Sequence, residues 1–300
     1  MASRTIGVCG EEGGWSSARL VEAFSARGCA VSFFEPRACS LLLPGGELPV
    51  VRHREEPLPD FDAVVVKKIG DVTHRATRGH LEILFALEAR GAKVRSRPKA
   101  IAAAIDRVRM TRILAEHRIP MPRTIVTGSL PEALAFLSDV GTAVFKPAFT
   151  SKGRGMHRLT SGDPAARAIL EEAARGDEPI YLQRFVERPE EGYDLGVAIL
   201  DRQVIGAYKR VAPGGSWLTT IAQGGSYGAA KPPQEILDLA LAAARPFHLT
   251  FTGVDIVETK EGPLVYEVSA FGGFRGLWET GRIDAAGLYA DHVLWELSQG

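Results

Sequence analysis

Two carboxylates sit in apolar strand-like runs near the carboxyl end of this chain: Asp255 in GVDI and Glu267 in VYEVS, twelve residues further on. Burying two anions among such neighbours is costly unless something compensates their charge. If the two runs pair as antiparallel strands through Lys260-Glu261-Gly262, both acids come to one face. Lysine or arginine partners would satisfy them as salt bridges. A divalent cation would do so equally, since hard oxygen ligands from separate strands, completed by phosphate and water, suit Mg²⁺. Upstream, Phe145-Lys146-Pro147 ends a strand and is followed by Thr150-Ser151-Lys152-Gly153-Arg154-Gly155. A glycine-rich turn of this kind exposes backbone N–H groups that cradle phosphate oxygens. It lacks the order G-x-x-x-x-G-K-[ST], and a plain hairpin with a surface lysine would read the same way.

Two further segments carry chemistry. Ala270-Phe271-Gly272-Gly273-Phe274-Arg275-Gly276-Leu277 directly follows the second acid strand. Three glycines and one arginine before a helix can grip an anion with backbone amides and a guanidinium; a purely structural loop has little need of so many glycines. Tyr181-Leu182-Gln183-Arg184-Phe185-Val186 joins two lobes and offers its backbone to a planar base.

The elements that must hold these residues are legible from periodicity. Arg4–Cys9, Ala30–Phe34 and Ala63–Val66 are short apolar runs, as strands buried on both faces read. Leu20, Val21 and Phe24 fall at helical spacing and stop at Gly28; a helix over 80–90 ends at Gly91, and a strand KVRS follows. This alternation predicts a parallel sheet covered by helices. Gly10–Gly14 (GEEGG) after a first strand invites a nucleotide-binding reading, but it does not fit G-x-G-x-x-G, and a tight strand-to-helix turn explains it just as well. Residues 40–62, rich in proline, glycine and charge, read as a surface loop. Beyond Pro98 the texture changes: one helix over 100–117, a strand–helix–strand unit at 124–145, a helix over 163–175, and an antiparallel hairpin of DLGVAIL with QVIGAYKRV. A helix PQEILDLALAAARPF, the two acid strands and a terminal helix complete the chain.

The 300 residues suffice for two domains. Lysine plus arginine equals aspartate plus glutamate at 36 each, so no global field favours nucleic acid, and no apolar run is long enough to span a membrane. Cys9, Cys29 and Cys39 form no metal-type spacing and predict reduced thiols in a cytoplasmic protein. The seven histidines are scattered without ligand spacing.

Taken in order, Asp106-Arg107 opening a helix, IPMPRT, strand Lys146, the glycine loop, QRFV, Asp194 in GYDLGV, Lys209-Arg210, GVDI and EVS resemble an ATP-grasp enzyme, nearest the RimK-type carboxylate–amine ligases. The likeness covers the whole chain, and the ending EVSAFGGFRGL is similar to the ATP-grasp member of a small bacterial gene cluster, the GAK system. It implies an α/β fold, α+β in the C-terminal part, with a parallel-sheet pre-ATP-grasp domain over 1–97. The ATP-grasp domain would span 98–300, with a lid lobe at about 122–182 and a large lobe at about 183–300.

It also implies roles. Arg107 and Lys146 would neutralise ATP phosphates, with Ser151, Gly153 and Gly155 closing over them. Gln183, Arg184, Phe185 and Val186 would border adenine, and Asp194 would reach the ribose. Asp255, Glu267 and Ser269 would hold Mg²⁺, with Mn²⁺ as a substitute; Arg210 would stabilise the phosphoryl in flight, and Arg275 would hold the substrate carboxylate or its acyl phosphate. Dimers or tetramers are usual among similar enzymes. Three departures stand out: Ser269 where the family has Asn, Gly196 where close relatives have Arg, and Thr220 at a position often Asn. The implied reaction is ligation of a carboxylate, activated as an acyl phosphate, to an amine. An ATP-binding regulator that has lost ligation and a small-molecule kinase are the alternatives.

Overall fold

Continuous apolar runs with glycine or charge at their ends form the strands of the first domain. The computed structural model describes residues 3–70, 74–148, 153–214 and 216–299. The chain begins β1 (Thr5–Cys9), α1 (Trp15–Ser25), β2 (Ala30–Phe34), β3 (Cys39–Leu42), β4 (Val50–His53), β5 (Glu56–Pro57), β6 (Ala63–Val66), α2 (His74–Ala89) and β7 (Lys93–Arg95). Strands β2, β1, β6 and β7 lie side by side in that order, all parallel, as the alternation predicts. A Cβ on Gly10 would come within 2.2 Å of Ser17 Oγ, so this glycine lets β1 turn tightly into α1 and GEEGG is a structural turn. The stretch expected as a loop holds a small antiparallel sheet, β3-β4-β5. Its second turn runs through Arg54 and Glu55 at positive φ, without the glycine that usually announces such a turn.

Helices α3 (Pro98–Ile105) and α4 (Arg107–Glu116) replace the single helix expected over 100–117. Asp106 is the break. Its backbone is extended and its side chain accepts the Arg109 N–H, capping α4 and placing Arg107 in the first turn. The lid follows as β8 (Thr124–Thr127), α5 (Leu130–Val140), β9 (Thr142–Phe145), β10 (His157–Thr160), α6 (Pro164–Arg175) and β11 (Ile180–Arg184), with strand order β10-β9-β11-β8. Then come β12 (Tyr193–Leu200), β13 (Gln203–Val211), β14 (Ser226–Ala229), α7 (Gln234–Ala244), β15 (Phe251–Thr259), β16 (Gly262–Ser269), α8 (Arg275–Gly281) and α9 (Ala285–Ser298). The expected hairpin is β12–β13, inside a five-stranded antiparallel sheet ordered β14-β13-β12-β15-β16.

The buried clusters do not divide at residue 97. One joins Phe34, Val64 and Val94 of the first sheet to Ile101, Leu114, Val254 and Val265. A second joins Ile6 and Phe24 to Phe251, Leu277 and Tyr289. The lid alone keeps a core of its own, around Leu137, Leu159, Leu170 and Leu182.

Candidate active site

One face of the five-stranded sheet is the floor of the site. Asp194 lies opposite Arg210, Gly196 lies between Tyr208 and Asp255, Asp255 lies opposite Glu267, and Gly253 opposite Ser269. Directly opposed antiparallel residues have Cβ atoms roughly 4.5–5.5 Å apart, so the two acids share one face as their spacing predicts. Arg210 reaches two of the acids: Nε donates to Asp194 Oδ1 at 2.7 Å and Nη2 lies 2.8 Å from Asp255 Oδ2. Burial works against the charge on Arg210, but Asp194 and Asp255 hold it firmly protonated. Asp194 is committed to protein partners: Thr219 Oγ1 donates to its Oδ2 at 2.6 Å and Arg188 Nη2 approaches at 3.7 Å. That arrangement positions Arg210, and little of Asp194 is left open toward a ribose.

The acids fit a hard cation. Burial raises the Asp255 carboxyl; Arg210 opposes the shift, while Glu267 and Asp194 add to it, and the net direction is up. Glu267 has no ion-pair partner among the described residues. A cation between the two carboxylates relieves their repulsion. No cluster of three or more His, Cys, Asp or Glu side chains occurs among the described residues, so this chain offers two carboxylates plus the Ser269 hydroxyl and leaves other positions to phosphate and water.

Facing the acids is a basic group on the lid and α4. Lys146, at the end of β9, donates to Gln183 Oε1 on β11 and lies 5.4 Å from the Tyr266 ring centroid. Gln183, buried, is itself held by donating to Thr124 Oγ1 at 3.1 Å. Burial lowers the Lys146 ammonium to about 7, with Arg107 pushing the same way and Glu267 and Asp255 partly offsetting it. Lys146 is half-buried, and solvent screens part of this effect. Arg107 is buried and donates to the Pro147 carbonyl beside Lys146. Gly153 and Gly155 both have positive φ, and a Cβ on Gly153 would meet Thr220 Oγ1 at 3.2 Å, so this loop reaches the far side of the cleft. Ser151 lies outside the described residues.

The hinge differs in detail from expectation. The Arg184 and Phe185 amides donate to the Arg123 and Thr142 carbonyls, at 2.7 and 2.9 Å, inside the lid. Among the described residues the Val186 amide has no such partner. The Arg184 side chain turns to Glu261 at 3.2 Å, beside an open cavity of about 470 Å³ lined by Met121, Val140 and Leu264. Phe185 packs edge-on against Trp217 at 6.4 Å.

The glycine turn has a different explanation from anion binding. A Cβ on Gly272 would come within 2.6 Å of the Phe251 ring, and those on Gly273 and Gly276 within 3.0 and 2.7 Å of Tyr208. All three glycines thus permit close packing, which corrects the expectation that a structural loop would not need them. Arg275 is exposed and paired with Glu279, one turn along α8, at 2.5 Å; it stands on the rim, not in the charged cluster. Lys67, just past β6, is buried, donates to the Gly272 carbonyl and lies 4.0 Å from the Phe274 ring centroid.

The RimK-like ATP-grasp domain matches residues 104–293, and the RimK PreATP-grasp domain matches residues 6–101. The chain belongs to the RimK-like ATP-grasp family. Its chemistry is that of the family, ATP-dependent joining of a carboxylate to an amine. The tetrahydromethanopterin:alpha-L-glutamate ligase of Methanosarcina acetivorans is 32% identical over 67% of this chain, an alignment spanning 64% of that relative's length. A protein of Stenotrophomonas maltophilia named "Probable alpha-L-glutamate ligase" is 29% identical over 93% of this chain and 94% of its own. Among solved structures, the RimK domain ATP-grasp protein of Sphaerobacter thermophilus superposes with a TM-score of 0.75 at 23% identity, covering 96% of this chain and 98% of that one. The ATP-grasp ligase PsnB, complexed with a precursor variant, Mg and ADP, gives 0.74 at 20% identity over 97% and 98%.

Arg188, Thr219 and Tyr208 were not singled out by sequence reasoning as site residues. Arg188 donates to the Trp217 carbonyl at 2.5 Å and sits against Asp194 and Tyr266. No spacing signals it, because loop ERPE reads as ordinary solvated charge.

Proposed function

We propose that this family member binds Mg·ATP between the lid and the acid face, activates a carboxylate on a small molecule or peptide tail, and couples it to an amino acid, with L-glutamate the first amine to test. The observation that carries the reading is the opposition of Lys146 and Arg107 to Glu267 and Asp255, close enough that each acts on the charge of Lys146. Hydroxide is a poor leaving group, so a carboxylate does not condense with an amine directly. One carboxylate oxygen attacks the γ-phosphorus, ADP departs, and the amine then displaces phosphate from the acyl carbon. Catalysis of such a transfer is chiefly positioning and charge neutralisation. Lys146 and Arg107 would hold the phosphates, while Arg210, held by Asp194 and Asp255, would face the transferring group. Asp255 and Glu267, with Ser269, would hold Mg²⁺, which when bound neutralises the β- and γ-phosphates. Gly153 and Gly155 would close the lid and keep water from the acyl phosphate.

Three free cysteines and the need for ATP support a cytoplasmic setting; no helix among the described residues is long and apolar enough to cross a membrane. The test is a mass-spectrometric search for ADP-coupled adducts from candidate acids with L-glutamate. Wild type should form an adduct, and Asp255→Asn with Glu267→Gln should form none. A fully active double variant would end the metal assignment.

A further inference from the structure

Tyr208 lies two residues before Arg210 on β13, so both side chains rise from the same face. Its ring occupies a space kept open by glycines from three elements. A Cβ on Gly196 of β12 would come within 2.7 Å of Tyr208 Cζ and 3.0 Å of its hydroxyl. One on Gly276 of α8 would come within 2.7 Å of the ring, and one on Gly273 of the preceding turn within 3.0 Å of the hydroxyl. Tyr227 closes another side, edge-on at 5.4 Å. Only 7% of the residue is exposed, but the hydroxyl is not among the wholly buried atoms without a partner; among the described residues it makes no hydrogen bond and it stays open to a ligand. A phenol held by packing and left without a protein partner at the cleft is free to donate to a bound group.

Its position suggests what the partner is. Along this face the apolar half, with Phe251, Phe274 and Leu277, gives way to the charged half, with Asp194, Arg210 and Asp255, and Tyr208 stands at the border. We propose that Tyr208 is a substrate-binding residue of the ligation, its O–H donating to the carboxylate oxygen that does not attack phosphorus. This rests on the ligase reading above. In the first step the other oxygen bonds to the γ-phosphorus, and the bond to the bridging oxygen breaks with its electron pair leaving on ADP. The oxygen held by Tyr208 becomes the acyl carbonyl. When the amine nitrogen adds to the acyl carbon, the carbonyl pair moves onto that same oxygen, where the phenol stabilises the charge. Collapse expels phosphate, and the proton of the amine passes to solvent. The phenol donates a hydrogen bond throughout and keeps its own proton.

Tyr208→Phe removes the hydroxyl and preserves the ring and its glycine contacts. With the full chain, Mg·ATP, a panel of small carboxylic acids and glutamate-terminated peptides, and hydroxylamine as the trapping amine, hydroxamate formation reports the acyl phosphate. The expected result is a fall of at least tenfold in kcat/KM for the acid, with Mg·ADP affinity unchanged within twofold. Equal hydroxamate formation by wild type and Tyr208→Phe would overturn the inference and leave the ligase reading standing. A parallel loss of Mg·ADP affinity would mark the hydroxyl as structural and overturn it too. Failure of wild type to form hydroxamate from any acid would overturn both.

Discussion

Burial and Arg107 bring the Lys146 ammonium down to about 7, so near neutrality the free enzyme holds a mixture of amine and ammonium at this position. A nucleotide phosphate beside it favours the charged form. Binding should therefore take up a proton above pH 7 and none below about pH 6, and Mg·ATP affinity should fall as pH rises through 7. Calorimetry in buffers of different ionisation enthalpy reads this uptake directly. Lys146→Met should abolish it and weaken binding by roughly 1–3 kcal/mol, the range for losing a charge-assisted hydrogen bond. At this scale the sequence was informative where chemistry is local: the spacing of Asp255 and Glu267 foretold their pairing, while the phosphate roles expected of Lys146, Gly153 and Gly155 belong to the proposed function. Arg210 came only through family likeness. Thr219 and Arg188 were invisible, because their meeting with Asp194 is made by loops that periodicity does not describe.

Elements show where local pattern misleads. Glycine density in 272–276 read as an anion grip, but those glycines answer to the bulk of Phe251 and Tyr208, residues on strands β15 and β13. Gly276→Ala should place a methyl against the Tyr208 ring and cost about 1–3 kcal/mol, as overpacking does; chemical denaturation measures it, and adding Tyr208→Leu should recover part of the loss. Likewise, the helical pattern of 100–117 runs through Asp106, because apolar periodicity continues across it while the cap interrupts the backbone. Residues 39–57 carried too much proline and charge to look like strands, although their pairing is regular. The parallel first sheet, the β12–β13 hairpin and the pairing of β15 with β16, by contrast, followed from apolar runs and short connections.

Across the whole molecule, the division that matters mechanically is the lid against everything else. Among the described residues the lid alone has a cluster to itself, and rotation about Arg184–Val186 is expected to leave the other two clusters closed. The first domain and the large lobe are fused by two shared clusters and by the Arg27–Asp291 and Arg95–Glu296 pairs, both at 2.6 Å. A chain starting at residue 98 should fail to fold, losing cooperative unfolding by circular dichroism; a stable fragment would contradict this joint construction. Composition could not reveal the fusion, since long-range packing leaves no periodic trace.

The amine that Lys67 extends from the first sheet to the Gly272 carbonyl has an evolutionary corollary. Exchange of amino-terminal halves between homologues by recombination would leave that oxygen unmet in an apolar niche wherever the donor half lacked a lysine there. The two halves of the gene are therefore expected to be inherited together, and hybrids spliced near residue 97 should recover stability only when this amine travels with the turn it meets.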